Sequence, residues 1–131
     1  LVWSAQQKIA YVEYILKGGF SGRDIFFNYP NWGAFTRPKG DVPAIMELVD
    51  GKQRLTSIIG FLKNEFPVFG HYRDDYTDHL PDKGLRFNIN NLEWRKDVVE
   101  WYIGMNTGGS IHTDEDLAPA YELLKSLTLS A

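Results

Sequence analysis

The chain has 131 residues, 44% hydrophobic, 24% charged and 15% aromatic, with a formal net charge of −3. That length suffices for one domain with a core of its own, and the lack of a Lys/Arg block disfavours duplex DNA, whose phosphates call for a basic face. No apolar run reaches the length of a membrane span and no secretory signal pattern is visible. Without cysteine, disulfides, thiolate zinc sites and thiol catalysis are excluded, as suits a cytoplasmic protein.

The chain starts at Leu1 rather than Met, so a leading segment is expected upstream. Ser4 and Gln7 form a capping-box pattern, Ile9, Val12, Ile15 and Leu16 recur at helical spacing, and Lys17-Gly18-Gly19 supplies a stop. These predict a helix over 5–17. Ile25 to Tyr29 is an aromatic and β-branched run ended by Pro30, a strand pattern, and 30–43 reads as a proline- and glycine-bearing loop. Ala44 to Val49 predicts a second strand and Leu55 to Asn64 a second helix, with a short strand at Phe66 to Phe69. Residues 71–84 form a polar surface excursion. Leu85, Phe87 and Ile89 alternate with polar residues as in a half-exposed strand. Val98, Val99, Tyr102 and Met105 mark a third helix of roughly 93–105 closed by Asn106. Thr113 to Asp116 opens a fourth, in which Pro119 predicts a kink or a late start. Short strands mixed with about four helices make the expected fold class α+β, a single small domain with a short mixed sheet.

The stretch Asp50-Gly51-Lys52-Gln53-Arg54 stands between the second strand and the second helix. A helix N-terminus presents unpaired N–H groups and partial positive charge, so it seats anions, and Lys52 and Arg54 add full charges there. Gly51 permits close backbone approach, and Arg54 can grip phosphate with two N–H groups. The structural alternative is a turn in which Asp50 caps the helix and Arg54 pairs with a surface carboxylate; spacing alone favours it. Asn106-Thr107-Gly108-Gly109 reads either as a glycine C-cap or as a backbone nest for a ligand. His112 and Asp114 fit capping. The cluster His71, Asp74, Asp75, Asp78 and His79 fits no zinc or EF-hand spacing and reads as a solvated loop. Trp3, Trp94 and Trp101 could stack on a base, although aromatics in a small domain more often fill the core.

Leu48-Val49-Asp50-Gly51-Lys52-Gln53-Arg54-Leu55-Thr56 resembles the Asp-Gly-Gln-Gln-Arg motif of the ParB/sulfiredoxin-like N-terminal domains of GmrSD-type modification-dependent restriction enzymes. Val2-Trp3-Ser4 with Gln7 and the segment Tyr11 to Gly18 resembles that family's opening Trp-plus-helix. Met105-Asn106-Thr107-Gly108-Gly109-Ser110 before Asp114-Glu115 resembles its late glycine loop. The three stretches occur in the family's order and span nearly the whole chain. Two departures stand out. Lys52 replaces the motif's first glutamine, and the family's separate C-terminal HNH nuclease domain has no counterpart in these residues. The aromatic-x-Arg that often precedes the family's Trp is also absent.

The resemblance implies binding and hydrolysis of a nucleoside triphosphate with Mg²⁺, or phosphoryl transfer, in a phage, mobile-element or defence-related setting allied to restriction-modification. It places Asp50, Gly51, Gln53 and Arg54 on the motif, with Lys52 as an added cation and Gln7, Asn106, Gly108 and Gly109 as further nucleotide contacts. Asp50 is expected to hold Mg²⁺, since a bare triphosphate would repel it, and Gln53 to orient an attacking water. Two other classes stay open: a non-enzymatic ParB-like, DNA-associated regulatory module, and a protein-interaction domain with a vestigial loop that works with a protein partner or a missing effector domain. The base and the acceptor are not specified by the sequence. Direct nuclease action finds no metal-ligand constellation in its favour.

Overall fold

The computed structural model describes residues 2–77, 84–107 and 114–129. Four helices and a three-stranded mixed sheet make an α+β architecture: α1 (Ala5–Leu16), β1 (Asp24–Asn28), β2 (Glu47–Asp50), α2 (Lys52–Leu62), β3 (Arg86–Asn90), α3 (Arg95–Thr107) and α4 (Asp114–Leu129). The strand order is β2-β1-β3, with β1 and β2 antiparallel. Arg86 N–H donates to the Arg23 carbonyl and Tyr29 N–H to the Asn90 carbonyl, the rising pattern of a parallel β1–β3 pair. The chain divides into two compact units, Leu1–Ile25 with Gly51–Asn88, and Phe26–Asp50 with Ile89–Ala131.

In the first unit, α1 starts where the sequence signals it. Ser4 Oγ accepts from Gln7 N–H at 3.2 Å while Gln7 Oε1 accepts from Ser4 N–H at 2.8 Å, the reciprocal capping box. α1 packs on α2. Val12, Phe61 and Val68 are buried and form the core, with Tyr11, Leu16, Ile58, Phe66 and Tyr76 packed around them. Burying a side chain such as Phe61 is worth roughly 1.5–3 kcal/mol. The expected strand over Phe66 to Phe69 is instead a single bridge, Val68 with His71, around a turn in which Phe69 and Gly70 both have positive φ. Two successive left-handed residues reverse the chain before a ladder can extend.

Arg23 is buried, and its guanidinium donates to the carbonyls of Ile15, Gly19 and Gly84. It thereby ties the end of α1 to the segment that enters β3.

In the second unit, Phe27 pairs with Leu48 and Asn28 with Glu47, with an irregularity between Phe26 and Phe27. β2 begins at Glu47, not at the expected Ala44, because β1 ends at Asn28 before Pro30. The exposed residues Ala44 to Met46 are therefore left without a ladder partner. The fully buried Asn28 side chain completes the strand end, donating to the Leu92 carbonyl at 3.0 Å and accepting from Leu92 N–H at 2.9 Å. α3 buries Val98, Val99 and Ile103 and packs on α4, whose Leu117 is buried. Phe26 meets Trp101 edge to face at 6.0 Å, which makes Trp101 a packing residue.

α4 starts at Asp114 and continues through Pro119, so the late start expected from that proline does not occur. The missing N–H removes one helix bond, and packing on α3 outweighs it. No helix among the described residues is long and apolar enough to cross a membrane.

Candidate anion site at the start of α2

Sequence periodicity places the second helix from Leu55, but α2 begins at Lys52, so the polar turn is the helix's own first turn. The cause is Gly51. It is the N-cap, with φ 99° and ψ 16°, and a Cβ there would lie 2.8 Å from Ile25 Cδ1 and 3.2 Å from Ile25 Cα. Left-handed backbone and close approach to β1 both demand glycine. Lys52, Gln53 and Arg54 therefore occupy the first three helical positions.

Among the described residues no side chain caps α2, and its first turn contains no acidic residue. The structural alternative required Asp50 as the cap, whereas the N-cap is Gly51. Lys52 is exposed. Arg54 is half-buried and donates through Nη1 to the main-chain carbonyl of Asp24 at 3.1 Å. Among the described residues no carboxylate lies within salt-bridge distance of Arg54. The Asp24 carboxylate is engaged elsewhere, bidentate with Arg86 at 3.0 and 3.1 Å and accepting from Asn88 at 3.1 Å. The Asn88 hydrogen bond, the largest influence, with the Arg86 hydrogen bond and charge and lastly the Arg54 charge hold the Asp24 carboxyl below its ordinary 3.8, against burial, which ranks second and opposes them.

Two sequence-distant segments converge on this turn. Trp3 N–H donates to Gln53 Oε1 at 3.1 Å, and the Trp3 ring packs on Tyr11 with centroids 5.4 Å apart. Tyr11 Oη donates to the Gly22 carbonyl at 2.6 Å. Burial pushes the Tyr11 phenol up, with the Arg54 and Arg23 charges opposing. Tyr11, Gly22 and Asp24 were not singled out as site residues from the sequence. The polar turn Ser21-Gly22-Arg23-Asp24 between a helix and a strand is the local signal that could have drawn attention to Gly22 and Asp24; Tyr11, inside α1, has none.

The other expected site residues are placed as follows. Gln7 is exposed and its Oε1 serves the α1 capping box. Asp50 ends β2, opposite Phe26, and belongs to the second unit. Asn106, expected to close α3, lies inside it; it is buried, and its Nδ2 donates to the Tyr102 carbonyl at 2.8 Å. Gly108, Gly109 and His112 lie outside the described residues, as do Asp78 and His79. Of the acidic loop, Asp74 pairs with the Asn64 side chain just past α2, and Asp75 accepts from Tyr72 N–H within its own turn. Among the described residues no group of three or more His, Cys, Asp or Glu is arranged to hold a metal ion.

Comparison with protein-family models, with curated proteins and with solved structures finds no match for the chain.

Proposed function

We propose that the chain binds a nucleoside triphosphate at the start of α2 and hydrolyses it or transfers its terminal phosphoryl group. The observation that carries this reading is the pair of cations at a helix N-terminus that no side chain caps among the described residues, Lys52 exposed and Arg54 held by a neutral carbonyl with no carboxylate partner among those residues. A cation in the first turn opposes the helix dipole, by about 0.3–1 kcal/mol each. An arriving phosphate reverses that sign, because it meets backbone N–H groups, the dipole and two side-chain charges together. Arg54 Nη1 is committed to Asp24, which leaves further guanidinium donors for oxygen contacts.

Asp50, which immediately precedes Gly51 in the chain, is proposed to hold Mg²⁺. The ion would supply charge neutralisation on the phosphates. Gln53, steadied through its Oε1 by Trp3 N–H, is proposed to orient the attacking water. Catalysis of this kind comes from positioning and charge stabilisation, without a covalent intermediate. The family resemblance of the Asp50–Arg54 motif supports the same reading and is the ground for a phage, mobile-element or defence setting.

The test is calorimetric titration with ATP, GTP, CTP and UTP, each with and without Mg²⁺, followed by phosphate release with whichever binds. At least one triphosphate should bind more tightly than millimolar and lose affinity in Arg54→Ala. Millimolar or weaker binding of all four defeats the proposal.

A further inference from the structure

Arg54 is a long, flexible side chain, and ordering it on ligand binding would cost affinity unless the protein orders it beforehand. Its neighbourhood bears on that cost. Asp24 offers Arg54 a carbonyl, which orients the guanidinium without neutralising it. That carbonyl belongs to the first residue of β1, and the Gly22-Arg23 segment that leads into it is held by Tyr11, whose Oη donates to the Gly22 carbonyl. Gly22 has φ 71°, and a Cβ on it would lie 3.7 Å from Tyr11 Cε1 and 3.9 Å from Arg54 Nε. The Tyr11 ring and the Arg54 guanidinium therefore flank the same glycine. We propose that Tyr11 is a positioning residue for Arg54, pinning the Gly22-Arg23 lead into Asp24 so that the guanidinium stands ready for a phosphate oxygen before the ligand arrives.

This rests on the triphosphate reading and adds how its principal cation is held. Trp3 braces the arrangement through its ring contact with Tyr11. The phenol, whose ordinary value of 10.0 burial raises further, keeps its proton as a donor at neutral pH. A purely structural tyrosine would stabilise the fold without caring what stands at position 54.

A double-mutant cycle of Tyr11→Phe and Arg54→Lys separates the two roles, using the triphosphate that the parent binds. Phenylalanine keeps the ring and loses the hydroxyl; lysine keeps the charge and loses the fork. Positioning predicts that Tyr11→Phe weakens binding roughly tenfold in the parent and has little effect in the Arg54→Lys background, a coupling typical of residues in one network. Equal losses in both backgrounds, or no loss in the parent, overturn the inference. Relaxation of the Arg54 Nε–H in the nucleotide-free parent gives a second readout that needs no variant. An ordered guanidinium is expected, and one as mobile as a free surface arginine overturns the inference. A parent that binds no triphosphate overturns the functional reading and this one together. A parent that binds while the cycle is additive overturns only the role of Tyr11.

Discussion

Lys52→Glu should stabilise the protein and weaken its triphosphate binding together. Lys52 is the first residue of α2, exposed, at an N-terminus without a side-chain cap or an acidic residue in its first turn. Removing a cation from that position and adding an anion each gains roughly 0.3–1 kcal/mol against the helix dipole. The sum, roughly 0.6–2 kcal/mol, corresponds to a rise in melting temperature of a few degrees for a chain of this size. The ligand sees the opposite. At about 4 Å in water each unit of charge is worth about 1 kcal/mol. A swing of two units thus weakens binding by about 2 kcal/mol, on the order of thirtyfold. Because Lys52 is exposed, salt should shrink both effects. Thermal melts and calorimetric titration at low and moderate salt measure the pair. Unchanged affinity would sink the anion site, and a lowered melting temperature would sink the assignment of Lys52 to the first helical turn.

Gly51→Ala must place a Cβ 2.8 Å from Ile25 Cδ1 at a φ of 99°. It should destabilise by at least about 1–2 kcal/mol in a urea titration, and a neutral result would contradict the observed junction. Asp24→Asn removes a carboxylate whose folded pKa is depressed by Asn88 first and Arg86 next. Its contribution is present above the unfolded value near 3.8 and is lost as pH falls through the lower folded value. The stability gap between parent and variant should accordingly narrow on acidification below that point, and a gap that widens there would refute the sign. Asp50→Asn should reduce the Mg²⁺-dependent part of triphosphate affinity while leaving the Mg²⁺-free part equal or slightly higher; equal loss in both conditions would remove Asp50 from the ion's coordination.

Local signals carried much of the fold. The Ser4–Gln7 capping box and the spacing of Val12 and Ile15 located α1 to within a residue, because caps and periodicity are written in neighbouring positions. Boundaries set by partners were harder. β2 depends on where β1 ends, so the apolar Ala44–Met46 was drawn into a strand that has no ladder there. Asn106 looks like a helix stop by residue type, yet its side chain is buried and bonds back to Tyr102. In the site, Gly51 to Arg54 could be read directly, since glycine, cations and amide stand in one turn. The polar turn marks Gly22 and Asp24 only as a turn, and their link to Arg54 could not be read, since the bonds that bring Arg54 to Asp24 and Gln53 to Trp3 join residues 30 and 50 positions apart. Nothing local in a sequence marks a carbonyl as the acceptor for a distant arginine.

The treatment of the three helix starts that the structure describes bears on why Lys52 is there. α1 has its Ser4 box and α3 has Asp97 in its first turn, each stabilising for its helix. α2 has neither, and its Lys52 and Arg54 stand without an acidic residue in the turn, whereas Arg95 and Lys96 of α3 share theirs with Asp97 and Arg95 pairs with Glu47. Folding stability favours glutamate, or the motif's glutamine, at position 52. A lysine there runs against the dipole and, among the described residues, gains no ion pair. The cost is small enough for a domain to tolerate, but its sign is informative. A cation at a helix start where no acidic residue of the turn offsets it is the feature that the proposed anion at the α2 N-terminus would account for.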